Sequence, residues 1–248
     1  MIRSFPATSV DPPTGREAAD AARASEPAPE GRRESGRVWQ RRRLTLLTAA
    51  AVVSPIALAA QYAIDTAGLP RQEPATYLAA VAAAPGRGLA SVVVYGVGIV
   101  GLVAVAALVA LACRASAPVL SAVAAGLMAA GAVGGGGFVA IRLTALSLTS
   151  DGGLVPGAVA AFTHVQAGVL TPLAALVLAA AIGQLVIVAA MVRSQRAIGT
   201  WVAPAWLVGF ALASGELPPA IGIVGGLLQA AALIVLGRWL LSRDVAAQ

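Results

Sequence analysis

The chain has 248 residues, 58% of them hydrophobic and only 11% charged, with a formal net charge of +6. A soluble domain carries ~25% charged residues, so this composition excludes an ordinary water-exposed globule. All 17 basic residues are arginine, nine of them before residue 44 and the rest near the ends of uncharged runs. That placement excludes a nucleic-acid surface. It reads as membrane orientation and contact with anionic lipid headgroups, above all at Arg41, Arg42 and Arg43.

Six runs carry no charge: Leu44–Ile64, Gly88–Cys113, Ala115–Ile141, Gly152–Val192, Ala197–Gly215 and Leu217–Gly237. Crossing a ~30 Å hydrocarbon core takes ~20 helical residues. The expected fold is therefore all-α: a polytopic membrane protein with a six-helix transmembrane domain over residues 41–244. Residues 1–40 are rich in Pro, Ala, Glu, Arg, Ser and Gly and poor in large apolar residues. Such a segment cannot bury enough surface to offset its ordering entropy. It is expected to be a disordered cytoplasmic tail ending in a basic collar.

Span 1 is expected at about 44–64. Arg41-Arg42-Arg43-Leu44 also fits a twin-arginine export signal, but a long tail precedes it and further spans follow, which favours an uncleaved first helix. A loop over 65–87 holds Pro70, Pro74 and Pro85, and its middle, Ala75–Ala84, suits a short surface helix. Span 2 follows at about 89–112. The link Cys113–Ala117 is so short that spans 2 and 3 must be antiparallel neighbours. Pro118 suits the first turn of span 3, about 118–141, where a missing N–H costs nothing. That span contains Gly131 and Gly134–Gly137, and so many helix-weakening residues point to close helix contact.

The run Gly152–Val192 would make ~62 Å of helix, too long for one crossing and too short for two with a turn. The reading adopted is one span at about 171–192, opened by Pro172, after an interfacial or re-entrant helix Gly157–Leu170. Span 5, about 198–214, contains Pro204. A turn at Gly215–Pro219 leads to span 6, about 220–241. With the N-terminus inside, 14 arginines fall on the cytoplasmic side, and Arg71, Arg87 and Arg142 fall outside. The positive-inside rule then places both termini in the cytoplasm. Trp39, Trp201 and Trp239 all fall at cytoplasmic span ends, where indole rings prefer the interface.

Lys and Asn are absent while Ala dominates. That bias toward G/C-rich codons implies a high-GC bacterial genome and hence a plasma membrane. One cysteine, Cys113, and one histidine, His164, leave no disulfide, bis-His haem or His-rich metal site within the chain. No cofactor and no metal are expected. Gly96-Val97-Gly98-Ile99-Val100-Gly101 matches G-x-G-x-x-G, but the acidic residue that would hold a ribose ~20 positions on is missing. Gly131/Gly135 and Gly222/Gly226, spaced four apart, read as helix-packing faces, with a homodimer seam as the second reading.

Arg142 ends 27 uncharged residues and breaks the positive-inside pattern. It is expected either to snorkel at the outer surface or to join an outer polar cluster with Glu216, Asp151, Asp65 and His164. Gln184 and Gln229 are mid-span amides that should hydrogen-bond to neighbouring helices. Gly-x-Ser-x-Gly, His-Glu-x-x-His and a P-loop are all absent, so an enzyme is not expected.

Tyr77–Arg87 (YLAAVAAAPGR) ahead of span 2, and the Gly/Ala-rich span 3 ending at Arg142, give the chain a layout that resembles uncharacterised six-span membrane proteins of actinobacteria over residues 44–243. The resemblance implies a membrane helix bundle and carries no activity with it. The expected role is a structural or partner-binding membrane component. The alternatives are a small-solute transporter or permeability factor, and the permease subunit of an export ABC transporter. The latter wants a coupling element between spans 2 and 3, where this chain has five residues.

Overall fold

The computed structural model describes residues 30–64, 73–150, 153–214 and 217–246. It falls into two units, 1–40 and 41–248. Of the first unit, the described part is residues 30–40, the opening turns of helix α1 (Glu30–Ile64). Residues 1–29 of the expected disordered tail lie outside the described residues. The chain is helical from Glu30, so the first helix begins well before residue 44. Glu, Arg and Gln, good helix formers, dominate residues 30–43, and extending a formed helix costs no new nucleus.

The described part of the second unit is helical apart from short links. After α1 come α2 (Pro74–Ala83), α3 (Pro85–Cys113), α4 (Pro118–Ser147), α5 (Ala158–Ile198), α6 (Val202–Ser214) and α7 (Pro219–Ala246). Proline at the first position opens α2, α3 and α4, where its fixed φ fits and its missing N–H is no loss. The Glu73 carboxylate caps α2 by accepting from Ala75 N (3.2 Å), Thr76 N (2.8 Å) and Thr76 Oγ1 (2.6 Å). Between α4 and α5 a two-residue ladder pairs β1 (Thr149–Ser150) with β2 (Gly153–Leu154), antiparallel.

Among the described residues, five helices are long and apolar enough to cross a membrane: Val38–Gln61 within α1, all of α3, α4 and α5, and Pro219–Arg243 within α7. That supports a multi-pass membrane protein. The segment expected as a crossing at 198–214 differs: α6 starts at Val202 and has 13 residues, ~20 Å of helix against a ~30 Å core. Gly199, at φ +102°, ends α5 in a conformation that side chains with a Cβ rarely adopt. Pro204 then sits in the first turn of α6, where it is tolerated.

The division of 152–192 is also corrected. Gly157–Leu170 is not a separate helix, because α5 runs unbroken for 41 residues through Pro172. Proline removes the hydrogen bond to the carbonyl four residues back, on Gly168. Contacts on both sides of Pro172 override the local break. Before it, Phe162 stacks on Tyr77 with ring centroids 5.5 Å apart. After it, Leu173 and Leu176 lie against Gly134 of α4.

The helices alternate in direction. On α3, Gly98 meets Leu58 and Gly101 meets Ala50 and Ser54 of α1; on α7, Gly226 meets Pro55 and Ala59, and Gly237 meets Thr48. Both α3 and α7 are therefore antiparallel to α1. The arginines from residue 41 onward then divide by end. Arg41–Arg43, Arg114, Arg193, Arg196, Arg238 and Arg243 belong to the end at which α1 enters the bundle. Arg87 and Arg142 belong to the other. The main core joins α1, α3, α4, α5, α6 and α7 through residues such as Leu108, Met128, Ile187, Trp206 and Leu233. A second core around Tyr77, Leu78, Ile141 and Phe162 ties α2 to the far ends of α4 and α5.

Candidate functional site

The far end of α3 supplies Ser91 and Tyr95, one turn apart and so on one face. Ser91 is buried between α1 and α4. Its hydroxyl oxygen accepts from Arg142 Nη1 at 3.0 Å and from Gln61 Nε2 at 3.5 Å. The Arg142 guanidinium carbon lies 5.4 Å from the centroid of the Tyr95 ring, within cation–π range. Arg142 itself is 4% exposed. It points into the bundle and does not snorkel along the surface, although it lies only about 8 Å of helix from the end of α4. Three helices are thus joined through one hydroxyl.

Charge in an apolar setting is costly unless paired and hydrogen-bonded. A guanidinium held this way can lock helices together, and its planar fork can recognise a carboxylate or a phosphate. Of the outer cluster expected with Arg142, Asp65, Asp151 and Glu216 lie outside the described residues. His164 is described and is exposed on α5. Among the described residues, Arg142 meets Ser91 and Tyr95, and Gln61 shares the Ser91 hydroxyl; none of the three stood out in the sequence. The available signal was the Ser91/Tyr95 spacing within an otherwise apolar run.

Other polar side chains also join helices. Trp206 Nε1 donates to Gln184 Oε1 at 2.8 Å, linking α6 to α5. Ser54 Oγ donates to the Gly98 carbonyl at 2.7 Å, linking α1 to α3. Ser116 Oγ and Ser194 Oγ are 2.7 Å apart, linking the α3–α4 turn to α5. Gln229 on α7 is buried, and its amide nitrogen has no hydrogen-bond partner among the described residues.

The glycines divide into two sets. A Cβ on Gly131 would strike Ala180, on Gly135 it would strike Ile99, and on Gly226 it would strike Pro55 and Ala59; Gly222 has open space beside it. The G-x-G-x-x-G run lies in mid-helix, with Gly98 and Gly101 closing on α1. It is a helix crossing, not a phosphate loop. Among the described residues no group of three His, Cys, Asp or Glu could hold a metal ion. No family model, curated protein or solved structure matches the chain.

Proposed function

We propose that this chain is a multi-pass protein of a bacterial plasma membrane, with six crossings and both termini cytoplasmic, serving as a structural or partner-binding membrane component. The observation that carries this reading is the use to which polar side chains are put. Ser54, Ser91, Arg142, Gln184 and Trp206 spend hydrogen bonds on joints between helices. A scaffold needs such joints, because apolar packing alone does not drive helices together in lipid. The arginine asymmetry supports the orientation.

The transporter reading keeps one observation in its favour: a buried cation, Arg142, near one end of the bundle. Transport by an export ABC permease is disfavoured, since α3 and α4 are joined by only Arg114–Ala117. The deciding experiment reconstitutes the full chain in liposomes and follows efflux of a panel of small anions and neutral solutes. A structural component leaves efflux at the level of empty liposomes. Efflux that saturates with solute and is lost in Arg142→Lys would replace this reading with transport.

A further inference from the structure

We propose that the end of α5, with the α3–α4 turn, forms a headgroup site for an anionic phospholipid. This rests on the reading that the bundle lies in a bilayer. The Ser116–Ser194 hydroxyl contact of 2.7 Å pins the turn against α5. It places the turn that carries Arg114, two residues before Ser116, against the stretch of α5 that carries Arg193 and Arg196 on either side of Ser194. All three arginines are exposed.

Arg193 and Arg196 stand three apart on one helix, a spacing at which like charges repel. No acid lies between Glu73 and Asp151 or between Asp151 and Glu216, so α3, α4, α5 and α6 bring no carboxylate to this patch. From residue 41 onward, Asp244 is the one acid in the sequence of the helix ends that share this side. A phosphodiester brings the missing charge, and guanidinium groups match it with paired donors.

The apolar surface points to a lipid as the bearer of that phosphate. Leu178, Ile182, Leu185 and Val192 are exposed on α5, with exposed Ala189 between the last two. Their spacing of three and four makes one stripe along the helix, and that stripe ends at Arg193 and Arg196. An acyl chain along the stripe places its headgroup at the arginines. Trp201, exposed just beyond α5, suits the same interfacial depth.

The test uses the full chain, after confirming that it resists carbonate extraction from membranes. Native mass spectrometry then counts retained phosphatidylglycerol against phosphatidylcholine, and thermal unfolding is followed as each lipid is added. The wild type should retain phosphatidylglycerol preferentially and gain thermal stability from it. Arg193→Gln/Arg196→Gln should lose that preference, with binding about fivefold weaker per arginine removed, and Arg114→Gln should lose part of it. Arg87→Gln, exposed at the opposite end, should behave as wild type. Equal retention by the Arg193/Arg196 variant would overturn the site. Inorganic phosphate reproducing the thermal shift would overturn the lipid as occupant. Extraction by carbonate would instead sink the membrane reading itself.

Discussion

Ser91 carries more of the bundle than its size suggests, because its hydroxyl accepts from both Arg142 and Gln61. Ser91→Ala removes an acceptor shared by two buried side chains, and each lost hydrogen bond costs about 0.5–1.5 kcal/mol. Its thermal midpoint in detergent should fall by several degrees, and unchanged stability would mean that the contact carries no load. Gln229→Leu should go the other way. The amide nitrogen is already buried without a partner among the described residues, so an apolar side chain of similar size should leave stability unchanged or raise it by up to about 1 kcal/mol. Outside the spans, hydrogen bonds from the Thr76 side chain, then from the Thr76 and Ala75 backbone, hold the Glu73 carboxyl below the usual carboxylate range. A depressed folded value contributes stability above the ordinary carboxylate range, and that contribution is lost as pH falls through the folded value. Thr76→Val should therefore raise the Glu73 titration midpoint, followed by carboxyl NMR, and an unmoved midpoint would rule out the cap. Arg142 was legible in the sequence because a charge stands out after 27 uncharged residues. Ser91, Gln61 and Tyr95 were not, since their meeting depends on the relative register of α1, α3 and α4, and hydropathy does not encode it.

Between elements, the α4–α5 pairing depends on small residues. Gly131 faces Ala180 so closely that even the Ala180 backbone lies near a would-be Cβ, while Gly136, on the same helix, has open space beside it. Gly131→Leu should cost about 1–3 kcal/mol by overpacking. Gly136→Leu should be neutral or stabilising, because glycine is a poor helix former. Comparable thermal losses for the two variants would indicate a propensity effect unrelated to packing. The same elements mark the limit of sequence reading. Uncharged runs located α3, α4 and α7 well, since a span must be apolar along its whole length, whereas α1 starts in the charged stretch before its uncharged run. The extent of α5 was hidden because proline signals a helix start only when nothing else holds the helix, and here Tyr77, Gly134 and Gly137 hold it on both sides. The short reach of α6 was hidden because Gly199 and Pro204 sit inside a run of unbroken hydropathy.

For the molecule as a whole, the number of crossings turns on α6. Its 13 residues are too few to span a ~30 Å core upright, so five crossings with an external C-terminus compete with six and an internal one. Two arguments favour six. First, α7 is antiparallel to α1, with Gly226 against Pro55 and Ala59 and Gly237 against Thr48. The start of α7 therefore lies toward the Ile64 end of α1, and α6 with the following turn must carry the chain there from the opposite end. Gly209 and Gly225 pack backbone to backbone across that hairpin, which lets the short helix sit deep against α7. Second, a five-crossing count would move Arg238 and Arg243 to the outer side, against the positive-inside bias, while antiparallel packing keeps them at the Arg41–Arg43 end. Reporter fusions after residues 115, 195 and 248 should then all read cytoplasmic, and a fusion in the turn at 216 should read external. An external signal at 248 with cytoplasmic signals at 115, 195 and 216 would show that α6 only dips into the membrane and returns, and the six-crossing arrangement would fall.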